Sequence, residues 1–389
     1  MMKYLSFSLI AFLFWHCAKN ENNNSQHEIL TVTDSLKIPV GETISAEGNY
    51  YSFFKSDTLT GKEILYIPTL KNELLSYDIN QGKQVRNLTF QKEGPDGIGD
   101  FFVINEINND SIILIGKNHY SIYLMNSQAK KMATFSMKAT GELSTREIFI
   151  MPTLSLLHAD NKVIYQVHPA ILLNEKSGKR YFDLNVKVFL SLDLKTGIFS
   201  MLPVKFPNFM ANKNEYWDIF HFKTGSDLLG NNLIYTFSGS DSLYSYNLKT
   251  GLKKQVSAIS KHVRKGNGVF QRKYTTVEGL LSVFAENTSY VQVLADPFRN
   301  RIYRFVAHHT DEWKKSGNLN DVLIYKPFSI QIFDGDLNFL DETEIFSKQS
   351  FDFIDAFVGK KGLYISNNHQ ANPNIDENYL SYSIFSLKK

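Results

Sequence analysis

Apolar and polar residues alternate along most of this chain in short runs, and the runs come in pairs joined by a turn. The repeated phrase is an apolar strand, an Asp or Asn turn with Gly or Lys nearby, and a second strand. It reads LLSYDINQGKQVRNLTF at 74–90, SIYLMNSQAKKMATFSM at 121–137 and VFLSLDLKTGIFSMLPVKF at 188–206. It returns as SLYSYNLKTGLKKQVSAI at 242–259 and SIQIFDGDLNFLDETEIF at 329–346. Alternation buries one face of a hairpin, Asx side chains start the turn, and Gly tolerates positive φ. Another strand-like run precedes each hairpin: ILYIPT, SIILIG, VIYQVH, LIYTFSG and RIYRFVA.

The turn residues Asp78, Asn126, Asp193, Asn247 and Asp334 lie 48, 67, 54 and 87 residues apart. Four-stranded propeller blades take about 40–50 residues, so these gaps predict blades with inserted loops. The chain ends in three more strands, FDFIDAFVG, GLYISNN and YLSYSIFSL, and EILTVTDSLKIPV (28–40) supplies a fourth. Joining both ends of the chain in one blade removes two raw sheet edges. The expectation is an all-β, six-bladed β-propeller over 28–389, with the N-terminal strand completing the last blade. No long 3.6-residue periodicity competes with it. Thirty Phe and twenty Tyr fit the same picture, because aromatic side chains suit half-buried pleated surfaces.

The first 27 residues break the pattern. Lys3 precedes an apolar run, Tyr4 to Trp15, and Cys17 then opens the polar stretch AKNENNNSQ. That run spans only about 18 Å as a helix, against roughly 30 Å of hydrocarbon. The reading is a lipoprotein signal peptide at 1–16, acylation with palmitate-type chains at Cys17, and a lipidated tether at 17–27. It places the chain in the cell envelope, lipid-anchored to the outer membrane. Trp15 and His16 depart from the small residues usual before such a cysteine. Cys17 is also the only cysteine, so no disulfide is available to the body. A formal net charge of +3 gives no case for nucleic acid as a partner.

The leader, the blade phrase, the loop QKEGPDGIGDFF (91–102) and LADPFRNRIYRFV (294–306) together resemble a lipoprotein family of Bacteroidetes known as a domain of unknown function. The resemblance implies a six-bladed TolB-like propeller. It brings no reaction and no catalytic residues.

Candidate chemistry is sparse. Glu93 and Asp96 lie in the Gly/Pro loop, either on a rim facing the central channel or in a plain crossover between blades. NEYWDIFHFK (214–223) gathers Tyr216, Trp217 and His221, either as an aromatic rim for a sugar or peptide or as inter-blade core. Arg304 and His308 share a strand face that would suit an anion, whereas the adjacent His308 and His309 point opposite ways and cannot share a metal. The basic run 261–273 reads as a solvated loop or an anion site. Asp-Ser/Thr-apolar triplets at Asp34, Asp57, Asp110 and Asp241 are turn chemistry or glycan acceptors. No metal site, cofactor or nucleophile motif is legible. The function expected first is a binding or scaffold module for a protein, peptide or glycan, with enzyme activity left open. The alternative is an envelope hydrolase or lyase whose site, with or without a metal, is assembled in the central channel from different blades.

Overall fold

A computed structural model of the chain describes residues 29–40, 53–56, 61–69, 71–108, 110–116, 121–137, 148–149, 156–169, 172–174, 179–181, 187–208, 224–263, 282, 284–311, 326–346, 350–369 and 372–388. The described strands form six antiparallel four-stranded sheets and two short two-stranded ones; five of the six run in chain order from an inner strand A to an outer strand D, and the sixth takes its outer strand from the N-terminus. Blade 1 comprises Phe53–Ser56, Glu63–Pro68, Glu73–Asp78 and Lys83–Thr89; blade 2 comprises Phe101–Asn108, Ser111–Gly116, Ser121–Met125 and Lys131–Ser136. Blade 3 comprises Leu157–Ala159, Lys162–Gln166, Phe189–Asp193 and Phe199–Met201; blade 4 comprises Thr224–Leu229, Asn232–Phe237, Ser242–Asn247 and Lys253–Ser257. Blade 5 comprises Ser289–Asp296, Arg301–Ala307, Phe328–Asp334 and Phe339–Glu342. Blade 6 takes Asp352–Gly359, Gly362–Ser366 and Tyr379–Lys388 from the C-terminus and Ile29–Pro39 from the N-terminus.

That last pairing closes the ring. Ile29 lies opposite Lys388 and Pro39 opposite Tyr379, with one bulge between Val32 and Asp34. The alternation in this strand sends Leu30, Leu36 and Ile38 into the core and leaves their neighbours outside. Six apolar clusters fill the six spaces between neighbouring blades. Leu36 and Ile38 join Leu65 and Tyr77 of blade 1 to Tyr364 and Tyr382 of blade 6. The other five interfaces are built in the same way. A blade buries both faces against its neighbours, so no single blade holds a core of its own.

Every C–D turn of blades 1 to 5 uses one device. Asp78 Oδ1 accepts the amides of Asn80 and Gln81, and Asn126 Oδ1 those of Gln128 and Lys130. Asp193 does the same for Lys195 and Thr196, Asn247 for Lys249 and Thr250, and Asp334 for Asp336 and Asn338. Each turn then needs one left-handed residue: Gly82, Ala129, Gly197, Gly251 and Leu337 all have positive φ. The Asx-Gly signature in the sequence is therefore the signature of this turn.

Two features lay beyond the sequence reading. The inner strands were harder to see than the outer hairpins, because their neighbours on both sides are protein. Thr224–Leu229 (TGSDLL) shows little alternation, and a Cβ on Gly225 would stand 2.6 Å from Gln292 Cα of the next inner strand. Blade 3 also carries an insertion between its second and third strands. In it Leu172–Asn174 pairs with Lys179–Tyr181, and its His168–Pro169 pairs with Ile148–Phe149 from the connection that precedes the blade. That insertion lengthens the interval from Asn126 to Asp193.

The topology gives the disc two unlike faces. The A–B and C–D turns share one face, and the longest of them is 57–62. The B–C loops and D–A crossovers share the other, where 137–156, 167–188, 202–223, 258–288 and 308–327 connect strands. We call these the turn face and the loop face.

Candidate functional site

Among the described residues, the loop-face end of blade 5 gathers a set of buried polar side chains, and two of the residues singled out in the sequence belong to it. Arg304 is wholly buried and lies over the Tyr290 ring, 3.7 Å from its centroid. Its Nε donates to Thr236 Oγ1, and its two terminal nitrogens donate to the carbonyls of Ser240, Asp241, Ser242 and Ala258 and to Gln331 Oε1. The guanidinium thus ties the C strand of blade 4 to blade 5. Burial pulls it down to about 10.

His308 lies four residues on and reaches the same network. Glu342 Oε1 accepts from Ser260 Oγ (2.6 Å) and Ser329 Oγ (2.5 Å); Oε2 accepts from Lys261 N (2.9 Å) and Gln331 Nε2 (3.3 Å). Ser329 gives its single proton to that carboxylate, so it must accept from His308 Nε2 at 2.8 Å. This fixes the Nε2–H tautomer and leaves His308 Nδ1 buried without a hydrogen-bond partner. The His262 ring stands edge-on to His308 at 5.5 Å and donates through Nε2 to Thr343 O. The sequence placed Arg304 and His308 on one anion-facing surface. The structure brings them together, and the anion between them is the chain's own Glu342, linked through Gln331 and Ser329.

Burial, reinforced by His262 and Lys326, pushes His308 down to about 4. The folded state therefore holds the neutral ring, whereas the unfolded chain takes up a proton near pH 6.5. Stability falls as pH drops from about 6.5 to about 4, by on the order of 3 kcal/mol from this group. Glu106 and Asp227, raised by burial to about 7 and about 6, slope the opposite way, losing stability as pH rises towards those values. They are common to wild type and a His308→Gln variant, so they cancel in the difference. Urea titrations at pH 7, 5.5 and 4.5 are expected to show the variant losing less stability across that window. Parallel losses would contradict the assignment.

The loop at 91–102 is a crossover on the outer wall. Asp96 accepts from Lys131 N (3.0 Å) and Lys130 Nζ (3.1 Å), which hold its carboxyl below the usual range. Lys131 Nζ donates to Gly97 O, and Asn72 Nδ2 to Gly99 O. Glu93 is exposed, and its backbone lies so close to Gly97 that a Cβ there would sit 2.5 Å away. The rim reading of Glu93 and Asp96 gives way to the crossover: these groups fasten blade 1 to the outer hairpin of blade 2, away from the central channel. Tyr216, Trp217, His221 and Cys17 lie outside the described residues.

Polar groups on the inner strands serve as staples between blades. Lys55 Nζ donates to Ile107 O (2.7 Å) and Glu106 O (3.4 Å), and Asn105 Nδ2 donates to Leu156 O. Asp227 Oδ2 accepts Ala295 N at 2.8 Å. Among the described residues, no group of three or more His, Cys, Asp or Glu could hold a metal ion. Of the Asp-Ser/Thr triplets, Ser242 is buried and accepts from Gln255 Nε2, which closes it to a glycan, while Ser35 is exposed. Sequence reasoning missed Ser329, Gln331 and Glu342. The alternation of SIQIF marked that face as one face, and Glu342 stands at the matching register position opposite Gln331.

The solved structures carry the same architecture. A crystal structure of a DUF4221 family member from Bacteroides vulgatus superposes with a TM-score of 0.78 at 20% identity, covering 94% of this chain and 99% of that one. A Bacteroides fragilis protein, provisionally described as exported, gives 0.53 at 10% identity, covering 95% and 98%. No curated protein matches. The family model described as a domain of unknown function, DUF4221, matches residues 26–344, and the chain belongs to that family.

Proposed function

We propose that this chain is a lipid-anchored propeller of the cell envelope that presents its loop face to a protein, peptide or glycan partner. The observation that carries this reading is the division of the disc. Every long connection starts and ends on the loop face, whereas the strand that follows the leader begins on the opposite face. A rigid closed ring with its longest loops on one side suits recognition, because loops held by a scaffold are where binding groups concentrate. The connections at 202–223 and 258–288 carry the aromatic run around Trp217 and the basic run at 261–273. The leader supports export, and Cys17 supports attachment to the outer membrane through acyl chains.

Two measurements test the reading. Metabolic labelling with palmitate should mark the wild-type protein and leave Cys17→Ser unlabelled and released from membranes. Affinity capture of the native lipoprotein should return a defined envelope partner, reduced several-fold by Trp217→Ala. A Cys17→Ser protein still held at the membrane would break the anchor reading, and capture without any reproducible partner would break the binding one.

A further inference from the structure

The described residues include ten large hydrophobic side chains that are exposed, and their placement follows a rule. Ile29, Val32, Val85, Met132, Ile198, Leu252 and Phe339 all lie within four residues of the start of an outer D strand. Each of the six blades contributes at least one. Leu252 is the most open, at 72% exposure. Scattered single apolar residues on a surface need no explanation. A set repeated once per blade, at the edge of one face, does.

The same edge is basic. Lys83, Lys195 and Lys249 are exposed in or beside the C–D turns of blades 1, 3 and 4, and Lys388 is exposed on the turn-face side of blade 6. Lys130 and Lys361 are exposed there too but pair with Asp96 and Asp34, and Lys253 Nζ and Lys360 Nζ donate to the carbonyls of Pro203 and Gly61. The acidic residues of these turns are directed elsewhere. Asp78 and Asp193 have their Oδ1 atoms turned inward to cap backbone amides, while the neighbouring ammonium groups remain outside. Blade 5 breaks the basic arc, with Asp334 and Asp336 in its turn. The positive edge is therefore carried by blades 1, 3, 4 and 6.

Ile29 begins its strand on this face, opposite Lys388. Everything N-terminal to it, including the apolar run 4–15 and Cys17, therefore joins the body at the turn face. An edge of exposed apolar side chains set among lysines, with the tether from Cys17 joined to it, fits one occupant by chemistry. Apolar tips enter the headgroup region, and lysines meet anionic headgroups at about 1 kcal/mol each near the surface.

We propose that the turn face lies flat on an anionic lipid bilayer, holding the loop face outward. This rests on the anchoring reading and deepens it. Acyl chains supply attachment, and the turn face sets orientation.

The test uses the full chain carrying Cys17→Ser, so that no acyl chain contributes, and vesicles of phosphatidylcholine with or without about one-third phosphatidylglycerol. The apolar leader is common to every arm. Co-sedimentation should be stronger with phosphatidylglycerol and should weaken as salt rises. Adding Lys83→Glu, Lys195→Glu and Lys249→Glu together should lower the partition constant roughly 100-fold, about fivefold for each lysine lost. Ile198→Ser with Leu252→Ser should lower it in both lipids. Lys71→Glu, in the exposed B–C turn of blade 1 on the loop face, should change nothing, and the thermal midpoints of all variants should match the parent. Equal binding to both lipids, or a triple variant that binds like its parent, would overturn the proposal. So would lipid-free self-association lost in the triple variant without change in vesicle binding, because the face would then pair two copies of the chain. Palmitate labelling of wild type reports separately on the anchor, so failure of one reading is distinguishable from failure of the other.

Discussion

Replacing Arg304 by Met is expected to remove about 3–5 kcal/mol of stability, enough to unfold a marginal domain near body temperature. The loss follows from what the guanidinium touches. Four carbonyls, of Ser240, Asp241, Ser242 and Ala258, accept from it in a site closed to water, and Met offers them no donor. The usual rescue of a buried ion pair by removing both charges has little purchase, because Arg304 meets Glu342 only through Gln331. A double Arg304→Met, Glu342→Gln variant should therefore be no more stable than Arg304→Met. Arg304→Lys should fall between wild type and Met: an ammonium keeps the charge but not the planar fork that reaches several carbonyls at once. Chemical denaturation midpoints rank the four proteins. A Met variant within 1 kcal/mol of wild type would show that this network is dispensable.

Breaking the closing strand should cost as much or more. Ile38 is wholly buried between blades 6 and 1, and Ile38→Asp puts a carboxylate among Leu65, Tyr77 and Tyr382 with no cation beside it. Removing 29–39 altogether leaves the Tyr379–Lys388 strand as a raw edge and uncovers the faces of two blades. The expected result is loss of the cooperative thermal transition and concentration-dependent aggregation, with partial recovery when a peptide of residues 26–40 is supplied in trans. A sharp transition retained by the truncated chain would mean that five and three-quarter blades suffice.

The fold was legible because its repeating part is local. One Asx turn flanked by alternating strands recurs in blades 1 to 5, so five outer hairpins could be read directly, and the strands at the two chain ends completed the count. The N-terminal strand as the last outer strand could be read too, since three C-terminal strands lacked a fourth. Inner strands such as Thr224–Leu229 resisted, because packing on both sides erases alternation and Gly225 answers to a contact 67 residues away in Gln292. The polar network was half legible. Arg304 and His308 could be placed on one face by parity, but Glu342 lies on another strand and Ser260 in another blade's crossover. Only the folded ring shows that the protein supplies its own anion. The lysines of the turn face were visible singly, and their shared edge appears only once the blades close.

The central claim is that the disc has a partner side and a membrane side. Photo-cross-linking in living cells tests it most directly, with a benzophenone amino acid placed at His309 on the loop face or at Lys249 on the turn face. The account predicts a discrete protein adduct of reproducible mass from position 309, and lipid adducts without a protein band from position 249. A protein adduct from position 249 with none from 309 would contradict it.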